Sequence, residues 1–205
     1  MTYNFGQAHP ERFFDMGVAE ADMVCTAAGM AATGMTVFAT SFAMFVPGRA
    51  YDQIRLQLSY GQENVKIVGV SAGLTQGPDG ATHQALDDLA LVRQLPGMTV
   101  LNPADATEAY RAVVAAAEIA TPVYIRLGRL PVRIVHPPEE RFELGRAARL
   151  RDGDDVTLMV DANSGYTPKK AIEVGRMLAD YGVSHFEEPC PYWELEWTRE
   201  VREAL

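Results

Sequence analysis

Short, β-branched apolar runs recur through the first 130 residues, separated by stretches in which apolar positions return every three or four residues. The runs are Val37-Phe38-Ala39, Val65 to Val70, Met98 to Leu101 and Val123-Tyr124-Ile125. Nearly continuous apolar strands of this kind are buried on both faces, the pattern of a parallel sheet covered by helices. Between them, a helix is predicted over Ala19–Thr33, stopped by Gly34. Asp105, with Glu108 three residues on, opens another that runs through Tyr110–Ile119. A third, His83–Leu95, ends at Pro96. The fold class is α/β, a parallel sheet flanked by helices.

The pattern changes at residues 131–140, PVRIVHPPEE, where three prolines forbid regular helix. A linker over 131–152 would divide one domain, 1–130, from a second segment, 153–205. In that segment Val156–Val160 reads as a strand, Thr167 caps a helix with Pro168 at its first position, Ser184–Glu187 is a second strand, and Leu195–Leu205 is a closing helix. A βαβα segment leaves an open sheet edge and an uncovered face, so it is not expected to form a complete domain alone.

Composition narrows the function classes. Hydrophobic residues make up 48% and charged residues 22%, the balance of a globular protein with a packed core. The net charge of −9 opposes a sequence-independent grip on nucleic acid or an anionic membrane surface. Cys25 and Cys190 give neither a disulfide framework nor a paired zinc motif, which fits a reducing cytoplasm. The start has no basic segment followed by an apolar stretch, and no run approaches the roughly 18 apolar residues of a spanning helix.

Several residues have chemistry to offer, each beside a plainer reading. Glu20 is an acid at the start of an apolar helix, where it either caps the first turn or does chemistry. Phe42 and Phe45 follow a strand, three residues apart, and either pack in the core or form a shelf for a ligand. Gly77-Pro78-Asp79-Gly80-Ala81-Thr82-His83 is a glycine-rich turn that brings an acid and a histidine to a strand end, where open α/β sheets bind ligands, though a simple turn and helix cap reads equally well. Arg129 is either an anion site or one half of a surface ion pair.

In this order, the runs PERFFDMGVAEADM, TSFAMF, GPDGATHQALDDLALVRQLPGMTVLNPADA and PVYIRLGR resemble the pyrimidine-binding domain of transketolase, in the form split between two subunits. The resemblance implies thiamine diphosphate chemistry. By position, Glu20 matches the acid that hydrogen-bonds the aminopyrimidine and so activates the thiazolium carbon. Phe42 and Phe45 match the aromatic wall around that ring, whose apolar contact is expected to keep Glu20 protonated. His83 matches a residue that moves protons on the sugar, Asp79 one that contacts a substrate hydroxyl, and Arg129 the arginine that holds the sugar phosphate. Gly48 stands where many members have a tyrosine, and Ser71 where they have a substrate-binding histidine. The resemblance also places the domain's first strand and helix before Thr2.

No Gly-Asp-Gly element followed by a metal-binding asparagine appears, nor a GxGxxG or GxxxxGK[ST] loop. The family arrangement therefore implies a complementary transketolase subunit that supplies the diphosphate and Mg²⁺ site, an oligomer, and a small sugar-phosphate substrate. Catalysis by this chain alone is not expected.

The tail carries a different pattern. Asp161 and Glu187 fall at the C-terminal ends of strand candidates, where carboxylates in a (β/α) barrel either hold Mg²⁺ or cap the next helix. VDANSGYT with HFEEPCPYWELEW resembles the enolase superfamily, in its mandelate racemase-like branch of sugar-acid dehydratases. By that match Asp161 and Glu187 are two of three Mg²⁺ ligands, while the third acid, the lysine base and the later histidine are absent. The transketolase resemblance persists through FELGRAARLRDGDDVT to about Thr157. The chain thus reads as a chimera of two incomplete pieces.

Overall fold

The computed structural model describes residues 2–139, 141–146, 159–161, 166–180, 183, 185–187, 189–191 and 193–205. The chain divides into two compact units, Met1–Leu150 and Arg151–Leu205.

The first unit begins with α1 (Tyr3–Ala8), followed by α2 (Glu20–Ala32) and β1 (Val37–Phe42). Next come α3 (Val46–Arg49), α4 (Tyr51–Gln53), β2 (Val65–Val70), α5 (Asp88–Arg93), β3 (Thr99–Leu101), α6 (Ala106–Glu118) and β4 (Val123–Arg126). The four strands are parallel in the order β1-β2-β4-β3, with Val37 opposite Val65, Ile67 opposite Tyr124, and Thr99 opposite Val123. Val65, Ile67, Val123, Tyr124 and Ile125 are fully buried, so the two central strands are covered on both faces, which is why they read as apolar runs without alternation.

α2 lies against β1 through Val24, Ala27, Ala28 and Ala31, small residues that let helix and sheet approach closely. Gly34 ends it with a φ of 93°, and its N–H reaches the Ala31 carbonyl at 2.8 Å. α6 starts on the expected reciprocal cap. Asp105 Oδ1 accepts from the Glu108 amide at 2.9 Å, while Glu108 Oε2 accepts from the Ala104 amide at 2.6 Å. The other Asp105 oxygen accepts from the amides of Val135 and His136 at 2.7 and 2.8 Å, fastening that proline-rich stretch to the head of α6.

The helix expected over His83–Leu95 is interrupted. Ala81–His83 is a short 3₁₀ turn, Gln84 is extended, Ala85 bridges to Ala72, and only Asp88–Arg93 is α-helical. A sheet-like hydrogen bond from the Gly73 amide to the Ala85 carbonyl at 3.0 Å replaces the helical one there. Ile54–Tyr60 takes a wide π-helical turn, closed by the Gly61 amide on the Leu56 carbonyl, with Ile54 and Leu58 fully buried.

In the second unit, β5 (Met159–Asp161) and β6 (His185–Glu187) pair in parallel, α7 (Pro168–Asp180) links them, and α8 (Leu195–Ala204) packs on α7. Ala171, Cys190 and Val201 form its small core. Pro168 occupies the first helical position of α7, where its missing N–H costs nothing. The strand expected over Val156–Val160 falls partly outside the described residues.

Candidate functional site

Glu20 is the first residue of α2 and is only 6% exposed. Two elements reach its carboxyl. Ser41, near the end of β1, donates its hydroxyl to Oε1 at 3.0 Å. Arg49, the last residue of α3, donates from Nη1 to Oε2 at 3.2 Å and is itself half exposed. Burial pushes the carboxyl up, but its own backbone amide, Arg49 and Ser41 together outweigh that and hold it below the usual carboxylate range. The expectation that neighbouring aromatics keep Glu20 protonated is therefore not met in this chain: a guanidinium bonds it first.

Beside the acid lies a cluster of three rings. Phe42 ends β1 and Phe45 precedes α3, with centroids 5.7 Å apart, edge to face. His83 meets both edge to face, at 5.8 Å from Phe42 and 5.0 Å from Phe45. Its Nδ1 is 2.9 Å from the Thr82 hydroxyl. The Arg49 guanidinium sits 4.1 Å from the Phe45 centroid, so one cation joins the acid to the rings.

The loop after β2 carries the rest. Gly77 and Gly80 both have positive φ, 72° and 75°, a conformation that a side chain would strain; they flank Pro78 and Asp79. Asp79 Oδ2 accepts from Arg129 Nη1 at 2.7 Å and from the side-chain amide of Gln76, a fully buried residue whose Oε1 accepts from the same Arg129 nitrogen at 2.8 Å. The Arg129 hydrogen bond is the main reason that the Asp79 carboxyl lies below its ordinary range. Arg129 thus makes the ion pair that its plainer reading described.

Glu20, Phe42, Phe45 and His83 are brought together through Arg49 and ring contacts, and Asp79 and Arg129 by a direct ion pair that Gln76 braces. Arg49, Ser41 and Gln76 are not among the residues that the sequence singles out. For Arg49 a signal exists: a cation closing the turn that Pro47 opens, directly after the aromatic pair. Asp161 and Glu187 are directly opposite one another as the last residues of β5 and β6, though their side chains lie outside the described residues. Among the described residues no three His, Cys, Asp or Glu side chains gather as a metal site.

Comparison with known proteins agrees with this fold. Residues 1–134 match the family described as transketolase, pyrimidine binding domain, and residues 102–205 match the enolase C-terminal domain-like family. The shared stretch, 102–134, contains α6 and β4, and β4 pairs between β2 and β3 in the first unit's sheet. A transketolase C-terminal section of Methanocaldococcus jannaschii is 42% identical over 89% of this chain and 58% of its own length. An apulose-4-phosphate transketolase subunit of Phocaeicola vulgatus is 38% identical over 88% of this chain and 57% of its own. Among solved structures, one described as a split gene transketolase, in an inactive tetramer, superposes with a TM-score of 0.69 at 45% identity, over 89% of this chain and 58% of that one. The chain therefore spans somewhat over half the length of these relatives. It belongs to the transketolase family through its pyrimidine-binding domain and, at its C-terminal end, to the enolase C-terminal domain-like family.

Proposed function

We propose that this chain is a transketolase-type subunit that holds the aminopyrimidine of thiamine diphosphate and takes part in two-carbon ketol transfer between sugar phosphates. The observation that carries the reading is the buried Glu20 carboxyl joined through Arg49 to the cluster of the Phe42, Phe45 and His83 rings. Those residues fit the group: one buried carboxyl suits a ring nitrogen, and the adjoining rings suit its apolar faces. When bound, thiamine diphosphate supplies the nucleophilic carbon that takes up the two-carbon unit.

In this reading Glu20 hydrogen-bonds the pyrimidine nitrogen, and Phe42 and Phe45 exclude water around it. His83, held at Nδ1 by Thr82, carries a proton to or from the sugar. Asp79 and Arg129 contact a sugar hydroxyl and the phosphate, with Gln76 setting their spacing. A complementary chain supplies the diphosphate and Mg²⁺ site, in an oligomer, because no glycine-rich phosphate loop occurs in the sequence. The relatives named as a C-terminal section and as one subunit of a transketolase support that division. No helix among the described residues is long and apolar enough to cross a membrane, and the cytoplasm is the proposed setting. The proposed organisation is 1–130 for the pyrimidine-binding domain, 131–152 for a linker and 153–205 for the barrel-like fragment.

The test is reconstitution. Mixed with a complementary transketolase subunit, thiamine diphosphate, Mg²⁺ and a ketose phosphate, the wild-type chain transfers a two-carbon unit and Glu20→Ala does not. Equal rates would remove Glu20 from the reaction.

A second reading rests on the pairing of Asp161 with Glu187 at the ends of β5 and β6, which supports Mg²⁺ binding by the tail. Calorimetry with Mg²⁺ decides it: identical titrations of wild type and Asp161→Ala would dismiss the site.

A further inference from the structure

Glu20 has two unlike partners. Ser41 belongs to the sheet and bonds one oxygen with a hydroxyl that both donates and accepts. Arg49 comes from a four-residue helix, bonds the other oxygen, and lays its guanidinium over Phe45. A guanidinium offers only donors and does not give up its proton. While it sits there, Glu20 is kept as a carboxylate.

A neutral aminopyrimidine makes the opposite demand. Its ring nitrogen is an acceptor, and an acid bonds it only by presenting a proton. Arg49 also lies over the Phe45 ring, where an apolar heterocycle would need contact. The guanidinium favours the ionised acid and the ring nitrogen needs the protonated one, so the two partners compete for Glu20.

We infer that Arg49 is a removable lock on this site, holding Glu20 ionised and covering Phe45 until an aminopyrimidine displaces it. The lock rests on the proposed cofactor only for the identity of the occupant. Arg49 is suited to leaving: it is half exposed, so water can solvate its head, and its one hydrogen bond to Glu20 is 3.2 Å, long for a charge-assisted pair. Other ionisable groups nearby do not bond the acid. Asp22 is on the exposed side of the same helical turn, and His83 contacts Phe45 rather than Glu20. Arg49 is in this sense a positioning residue, since it acts through Glu20 and not on a sugar.

The experiment uses the full chain with ¹³C-labelled glutamate, the Glu20 carboxyl signal being assigned with Glu20→Gln. Wild type, Arg49→Met and Arg49→Lys are titrated by NMR, and each is then tested by calorimetry with thiamine, which carries the aminopyrimidine without the diphosphate. In Arg49→Met the Glu20 midpoint moves upward and thiamine binds more tightly. In Arg49→Lys both stay near wild type. Superposed circular dichroism melts show that the half-exposed substitutions leave the fold intact. The same midpoint in wild type and Arg49→Met overturns the lock. A midpoint that rises while thiamine binds no variant upholds the lock and counts against the cofactor reading. Equal thiamine affinity in wild type and Arg49→Met, with binding observed, overturns the claim that Arg49 competes with the ring.

Discussion

The Tyr124 hydroxyl donates to Oδ2 of Asp88 at 2.9 Å, a bond buried between β4 and the start of α5. The same oxygen accepts from Arg126 Nε at 2.8 Å, and the other Arg126 branch reaches the Ala85 carbonyl at 3.3 Å, two residues beyond His83. On the adjacent strand, a β-carbon at residue 69 would collide with the Tyr124 hydroxyl. Burial, and then the charge of Asp88, push that hydroxyl far above its usual ionisation range, so it stays a donor at every workable pH. Tyr124→Phe is expected to cost about 1–3 kcal/mol in urea unfolding, the usual contribution of one hydrogen bond to a charged group, with Arg126 still bonding that oxygen. Gly69→Ala is expected to cost more, since either the ring or the strand must shift. An unchanged urea midpoint for Gly69→Ala would refute the contact.

Lys66 makes stability depend on alkaline pH. Its side chain is fully buried on β2, with Nζ donating to the carbonyls of Ile119 and Thr121 at 2.7 and 2.6 Å, and burial lowers its pKa to about 8. In the unfolded chain a lysine keeps its proton to about 10.4. Between these values the unfolded state binds more protons, so stability rises with pH through that window. Below pH 8 both states are charged, and the penalty of burying the charge is present in full. Thermal melts from pH 7 to 10 should show this rise and should lose it in Lys66→Met.

Asp105 acts at the acid end. The amide of Glu108 is the first cause of a carboxyl held well below the ordinary range, followed, after an opposing contribution from burial, by the amides of His136 and Val135. A depressed carboxyl contributes stability that is present above its unfolded pKa, about 3.9, and lost as pH falls through the folded value. Asp105→Ala should lower the urea midpoint at neutral pH and flatten its decline in acid. Hydrogen exchange should quicken at the Val135 and His136 amides, and unaltered exchange there would argue that the proline-rich stretch is held by other means.

Gln76 is predicted to matter through Asp79 and Arg129. Gln76→Leu keeps the buried volume and removes both hydrogen bonds. In the reconstituted system it should raise the KM for the ketose phosphate with little change in kcat, because it leaves Glu20 and His83 untouched. A fall in kcat at constant KM would place Gln76 in the chemistry instead.

β2 and β4 are legible in the sequence because both of their faces are covered, which leaves no alternation to confuse with a helix, while β1 and β3 read as shorter apolar runs at the sheet edges. The helix starts at Asp105 and Pro168 are legible for local reasons: Asp105 bonds an amide three residues on, and Pro168 lacks the N–H that a first helical position leaves unpaired. The break between His83 and Asp88 is not, because it is made by Ala72 and Gly73, more than ten residues away. The site divides along the same line. Glu20, Phe42, Phe45 and His83 can be named from their runs, and the structure gathers them. The charge on Glu20 cannot, because it is set by a cation 29 residues further along the chain.

β4 lies between β2 and β3, yet its residues fall inside the stretch that both family matches share. Anyone dividing the gene at the start of the enolase-like match would pull a middle plank from the first unit, leaving β3 with nothing to zip against and Lys66 without the carbonyls that cradle it. A workable recombination junction has to come after His136, so that the four-stranded sheet and the stretch fastened to Asp105 travel together.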